Sequence, residues 1–319
     1  MTLQDLKTKL TLPAIVSPMF LVSGTQLVIE SCKNGVLGTF PSLNGRSAED
    51  FENMLKEITS TLNDLAEENN TTSPPYGVNL IVNKTNPRLM TDLQLCIKYK
   101  VPVIITSLGA VKDVVDAVHS YGGLVFHDVI KKRHAEKAAE AGVDGIIAVS
   151  AGAGGHAGTA NPFALVEEIK SFYKGAIILA GAISHGKDIA AAITMGADFA
   201  YMGTRFIATQ ESLAAEGYKE MLTQSEIKDI IYTDGVSGVN ANFLLPSIQQ
   251  SGIALDPEKE EDFSELTGSN AKAWKDIWSA GHGVAAIDKI LTTKELINQL
   301  KTEYKAALEK NAALLKHLK

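Results

Sequence analysis

Four glycines and one histidine share eight consecutive positions, Ala151-Gly152-Ala153-Gly154-Gly155-His156-Ala157-Gly158, directly after the apolar run Gly145-Ile146-Ile147-Ala148-Val149-Ser150. A strand that ends in glycines lets backbone come close to a flat or charged ligand. A histidine at such an end is expected to titrate near neutrality, so it can take a proton at working pH. The segment therefore predicts a cofactor cradle with a base, His156, at its rim. The glycine run closes no evident hairpin.

Such a cradle needs a scaffold, and the chain supplies one in its alternation of apolar runs and amphipathic helical stretches. Strands are expected at Ala14–Met19, Val36–Phe40, Tyr76–Ile81, Val101–Leu108, Gly123–Val129, Gly145–Ser150, Ala176–Ile183 and Phe199–Phe206. Most are uniformly apolar, as parallel strands covered on both faces should be. Helices fall between them, among them Ser47–Asn69, where Ser47 and Asp50 can form a capping box. Eight strand–helix repeats predict a closed (β/α)8 barrel, with a doubly wound open sheet as the rival.

In a barrel of this type the working residues lie at the C-terminal ends of the strands. That rule selects Ser17, Pro18 and Met19 after the first strand, Asn79 at the third, Ser107 at the fourth and His127-Asp128 at the fifth. It adds Gly154, Gly155 and His156 after the sixth, Gly181 after the seventh, and Tyr201, Met202, Gly203 and Thr204 at the eighth. Gly181 and Gly203 are placed to turn backbone amides toward a phosphate, and Thr204 adds a hydroxyl. Asn79 can donate and accept toward a planar heterocycle, or cap the turn that follows it. Pro18-Met19 offers backbone groups and a polarizable surface beside a ring. His127, His185 and His282 are expected in structural roles. No histidine spacing suits a metal, and none is expected. A GxGxxG dinucleotide fingerprint, a Walker A loop and a GxSxG nucleophile elbow are all missing.

The chain has 319 residues, 45% hydrophobic and 21% charged, so it can bury a large core. Its net charge of −7 and the lack of a basic block argue against a nucleic-acid partner. Lys131-Lys132-Arg133, the densest basic run, is expected to mark a solvated helix face. The N-terminus lacks the apolar stretch of a signal peptide, and no apolar run reaches the ~18 residues of a membrane span. The two cysteines, Cys32 and Cys96, fall in predicted helices as reduced thiols, and a cytoplasmic location follows. Residues 1–208 are expected to form the barrel. Residues 209–280, including the acidic run Asp256–Asp262, are expected to form a helical or irregular lid. Residues 281–319 return to the barrel, ending in an amphipathic helix over Thr293–Lys319.

Several motifs together resemble one family. They are Ser17-Pro18-Met19, Tyr76-Gly77-Val78-Asn79-Leu80, Ala153-Gly154-Gly155-His156-Ala157-Gly158, Ala180-Gly181-Ala182-Ile183 and Gly196-Ala197-Asp198. Met202-Gly203-Thr204-Arg205-Phe206, Asn240-Ala241-Asn242 and Trp278-Ser279-Ala280-Gly281-His282-Gly283 complete the set. Nearly end to end, the chain resembles the nitronate monooxygenases, or 2-nitropropane dioxygenases, which are FMN-dependent (β/α)8-barrel flavoenzymes.

The resemblance implies that FMN binds to Asn79, Gly154, Gly181, Tyr201, Met202, Gly203 and Thr204, with His156 over the isoalloxazine as the active-site base; Pro18, Met19, Ser107 and Gly155 are expected at the same cofactor site from their own positions. It implies oxidation of nitronates, and of nitroalkanes where the histidine removes their acidic proton, by dioxygen to a carbonyl compound and nitrite. A monomer or homodimer is expected. The chain departs from the family's Gln-Gly-x-Glu pattern at Val149-Ser150-Ala151-Gly152, and Tyr201 and His282 stand where glutamine is frequent. Those departures leave two rivals in play: an FMN-dependent NAD(P)H reductase of a quinone or enoyl thioester, and a noncatalytic flavin-binding accessory protein. An inosine-monophosphate-dehydrogenase-like enzyme needs a loop cysteine, and Cys32 and Cys96 are in the wrong places.

Overall fold

A ring of parallel strands carries the molecule. The computed structural model describes residues 1–314 apart from 84, 110, 111, 237, 253 and 256–275. In chain order the strands are β1 (Ala14–Val16), β2 (Gly38–Pro41), β3 (Tyr76–Ile81), β4 (Val103–Ser107), β5 (Leu124–Val129), β6 (Gly145–Val149), β7 (Gly155–His156), β8 (Ala176–Ala180) and β9 (Phe199–Met202). Eight of them pair in the order β1-β9-β8-β6-β5-β4-β3-β2. Every pair is parallel. A parallel bridge between Ile15 and Leu37 joins the two ends, and Val16 N–H donates to the Leu37 carbonyl at 2.9 Å. The expected (β/α)8 barrel is what forms.

Strict alternation sorts the apolar residues into two layers. In β6, Ile146 and Ala148 face the outer layer with the helices, while Ile147 and Val149 face the barrel interior. Both layers are apolar because both are covered, which is why the strand sequences show no polar face. The first and last strands are shorter than expected. β1 stops at Val16, and β9 stops at Met202 because Gly203 opens a helical turn over Thr204–Ile207.

The helix Leu3–Lys9 opens with a capping box between Thr2 and Asp5. It inserts Leu6, 0% exposed, among Ile15, Leu37, Phe126, Ile147 and Phe199 of the interior. The long helix Ala48–Glu68 carries the expected Ser47–Asp50 capping box and buries Phe51, Leu55, Ile58, Leu62 and Ala66, one face at helical spacing. At the other end of the chain, Thr293–Leu314 buries Leu296, Ile297 and Leu300. It packs against the helices Gly186–Thr194 and Thr25–Lys33.

The stretch after the barrel departs from the helical or irregular expectation. It holds the helix Glu216–Gln224 and two strands, β10 (Ile230–Thr233) and β11 (Ala241–Leu244). Together with β7 these form a second, three-stranded antiparallel sheet in the order β10-β11-β7. The acidic run Asp256–Asp262 lies outside the described residues. Cys32 and Cys96 are free and buried. Among the described residues no helix is long and apolar enough to cross a membrane, and no cluster of ligating side chains could hold a metal ion.

Leu6 closes the interior from below, so Leu6→Ala should lower the unfolding free energy by about 2–4 kcal/mol through lost burial and the cavity left behind. Denaturant titration measures this, and a change below about 0.5 kcal/mol would show that the barrel floor does not depend on this helix.

Candidate functional site

At the C-terminal ends of the barrel strands lies a cavity of about 1030 Å³. Its wall includes Pro18, Met19, Asn79, Ser107, Gly154, Gly155, His156, Gly181, Tyr201, Gly203 and Thr204. The barrel thus gathers onto one surface nearly every residue singled out from sequence. Met202 is the exception: neighbouring residues on a strand face opposite ways, so Tyr201 meets the cavity while Met202, 1% exposed, packs in the outer layer. A smaller cavity of about 330 Å³ at the opposite end, beside Met1 and Gly122, contains none of the candidates.

The histidine wall is built by pairing. The glycine run does enter a sheet: β7 pairs antiparallel with β11, with Ala241 opposite His156 and Asn242 opposite Gly155. Partner strands 85 residues apart in sequence leave no local turn signal, which is why no hairpin is evident in the sequence. Asn242, 2% exposed, donates from Nδ2 to the Ala153 carbonyl at 2.7 Å. The Tyr232 hydroxyl donates to the Ala157 carbonyl at 3.0 Å.

A second segment braces the run from the other side. His282 N–H donates to the Gly152 carbonyl at 2.9 Å, and Gly281 N–H donates to the Thr204 hydroxyl oxygen at 2.9 Å. The two backbones lie so close that a Cβ on Gly154 would sit 2.8 Å from Gly281 N. Gly155 has φ +68 and open space where a side chain would stand, so bare backbone faces the cavity there. Asn242 and Gly281 hold the backbone of this wall, and strand-end reasoning passes over them. The signal for them is the pair of late motifs, Asn240-Ala241-Asn242 and Ser279–Gly283.

Burial resets the chemistry of the histidine. His156 is pushed down to about 4 by desolvation, not left near neutrality as expected from its type. It is neutral at pH 7. His127, 4% exposed, is also pushed down to about 4 by burial, and its Nδ1 lies 2.8 Å from the Thr106 hydroxyl. His185 caps the helix Gly186–Thr194, 3.5 Å from Glu303, in the structural role expected of it.

A chain of hydrogen bonds crosses three strands beneath the cavity. Asn79 Nδ2 donates to the Ile105 carbonyl at 3.2 Å and to Ser107 Oγ at 2.7 Å, and Ser107 Oγ donates to Asp128 at 2.7 Å. Both amide hydrogens of Asn79 are therefore spent inward, which leaves its carbonyl oxygen as the group it can offer a ligand. Asp128 is pushed up to about 6 by burial, with the Ser107 hydrogen bond pulling the other way. Tyr201 is raised well above the phenol range by burial and by the charge of Asp128.

A glycine–histidine wall, an acceptor amide and glycine-bearing loops thus meet around one cavity at the barrel mouth. The chain belongs to the nitronate monooxygenase family, whose model matches residues 45–303. It is 29% identical to a nitronate monooxygenase of Paraburkholderia phytofirmans over 62% of this chain, and the match spans 59% of that relative's length. It is 26% identical to the (3aS,4S,5R,7aS)-5-hydroxy-7a-methyl-1-oxo-octahydro-1H-indene-4-carboxyl-CoA dehydrogenase of Rhodococcus jostii, over 80% of this chain and 71% of that one. Its fold is similar to that of a nitroalkane oxidase from Streptomyces ansochromogenes, with a TM-score of 0.79 and 22% identity over 96% of this chain and 99% of that chain. The family is one of oxidoreductases.

Asp128 gives a prediction with a definite sign. Its folded pKa of about 6 lies above the ordinary aspartate value, so its contribution to stability is complete below the unfolded value and lost as pH rises through about 6. Asp128→Asn keeps an acceptor for Ser107 and removes the titration. The stability of the variant relative to the wild type should rise between about pH 4 and about pH 7 in urea titrations. A difference that stays constant across that range would show that the Asp128 carboxylate is fully solvated.

Proposed function

We propose that this protein is an FMN-dependent oxidoreductase that converts alkyl nitronates and dioxygen to a carbonyl compound and nitrite, acting as a cytoplasmic monomer or homodimer. The observation that carries the proposal is the shared cavity: His156, Asn79, Gly181 and Gly203 come from four different strand ends and line one space, in a chain of this family. Flavin, when bound, supplies the electron acceptor for the substrate and the route from there to dioxygen.

The residues present suit that group. The bare backbone at Gly154 and Gly155 would take the face of a flat ring, and the free carbonyl oxygen of Asn79 would accept from a ring N–H. The loops at Gly181 and Gly203 would take the phosphate, together with Thr204. The Thr204 oxygen already accepts from Gly281, so its own hydrogen remains for an anion. Pro18, Met19, Ser107 and Tyr201 would border the ring.

His156 selects between substrates by its charge state. A neutral imidazole accepts a proton, but at about 4 its proton affinity is low. A nitronate is already an anion and asks for no base, whereas a nitroalkane must first lose its carbon-bound proton. The site therefore favours nitronates, and nitroalkanes are turned over only through His156.

Two outcomes test the proposal. The protein as purified should be yellow, and anaerobic propyl-2-nitronate should bleach it without NADH. His156→Asn should keep its flavin while nitroalkane turnover falls by about 100-fold or more; unchanged turnover would remove His156 from the chemistry. A second reading, NAD(P)H-dependent reduction of a quinone or enoyl thioester, is favoured by the likeness to a dehydrogenase of a carboxyl-CoA. Bleaching by NADH alone would select it.

A further inference from the structure

The basic run that opens the helix Lys132–Ala141 is not explained by the site described so far. Lys131 stands at its N-cap with no side-chain cap bond, and the first turn contains no acidic residue. Cations there oppose the helix dipole, and a capping Ser, Thr, Asn or Asp would be more stable. The feature thus costs the fold stability, in a chain whose net charge is −7.

The run is not an isolated surface patch. His134 and Lys137, one turn apart on the same helix face, line the same cavity as His156. His134 is pulled down first by burial and then by Lys131, His127, Lys137 and Arg133; Lys131 and Arg133 are exposed and, unlike His134 and Lys137, are not part of the cavity wall. Two acidic groups lie near: Lys132 reaches Glu136 at 3.9 Å, and Asp128, hydrogen-bonded to Ser107, also attracts His134. Among the described residues, Lys131, Arg133 and Lys137 have no ion pair.

Ile130, just before the run, packs against the histidine loop: a Cβ on Gly158 would lie 3.1 Å from Ile130 Cβ. The run follows β5, whereas Gly181 and Gly203 follow β8 and β9, and β6 with its histidine loop lies between. The cations therefore flank His156 on the side away from the loops assigned to the flavin phosphate. Ile130 and Leu108, 38% and 37% exposed, add apolar surface to that side of the cavity.

We propose that His134 and Lys137 on the cavity wall, with Lys131 and Arg133 exposed beside them at the start of the same helix, form a second anion subsite, which holds the phosphate-bearing tail of an organic co-ligand whose other end reaches His156. Clustered cations at the mouth of an apolar-walled cleft recognise phosphate through charge-assisted hydrogen bonds and focus anions toward the site. Two sources carry such a tail: a coenzyme A thioester and a nicotinamide dinucleotide phosphate. The proposal goes beyond nitronate oxidation and does not depend on it, since a nitronate without a tail can occupy the same cavity.

The test is isothermal titration of the full chain as purified, with coenzyme A and separately with NADPH. It compares wild type with a combined Lys131→Gln, Arg133→Gln, Lys137→Gln variant. At least one ligand should bind the wild type, and the triple variant should bind it about tenfold or more weakly with unchanged flavin content. Lys137→Gln alone should weaken it about threefold, which keeps the test open if the triple variant folds poorly. Whichever ligand binds names the source of the phosphate. Absence of binding by both at millimolar concentration, or undiminished affinity in the variants, overturns the subsite. Binding is read without turnover, so this result is separate from the nitronate bleaching experiment.

Discussion

The site depends on two stretches of backbone lying closer together than any side chain would allow. Gly152–Gly154 and Gly281 meet with Gly154 and Gly281 each occupying the place of the other's missing Cβ. Hydrogen bonds from His282 to Gly152 and from Gly281 to Thr204 hold the contact. Because Thr204 belongs to the turn after β9, this contact ties the histidine loop, the late segment and the last barrel strand into one unit. The strand pair β7–β11 fixes the other edge of the same loop. A histidine on a glycine-rich loop would otherwise be mobile; here its position follows from backbone packing on both sides.

The same packing explains the electrostatics. Burial is the largest influence on His127, His156 and Asp128, and in each case it favours the neutral form. The two histidines His127 and His156 at the barrel mouth are thus neutral at pH 7, and the wall around them offers hydrogen-bonding groups. Such a lining suits a flat heterocycle that presents donors and acceptors, and it leaves charge recognition to the rim.

Much of this was legible in the sequence, for reasons that lie in particular residues. The eight barrel strands show because each is apolar on both faces, and the Ser47–Asp50 capping box marks the start of its helix. Strand-end reasoning then finds Asn79, Gly181 and Gly203 because barrel geometry brings those ends together. Local pattern could not show the second sheet: β7 is two residues long, and its partner Ala241–Leu244 lies far along the chain. The proton affinity of His156 was equally hidden, since it is set by burial and not by residue type. The Met202 side chain lies off the cavity for a simpler reason: alternation along β9 turns it away from its neighbour Tyr201.

The central claim is that the Gly154–His156 wall faces the ring of a bound flavin. A crystal structure of the FMN-loaded protein tests it most directly. The ring should lie against Gly154 and Gly155 beside His156, with the phosphate at the loops that carry Gly181 and Gly203. A ring bound elsewhere, or a cavity that stays without flavin at saturating FMN, would contradict it.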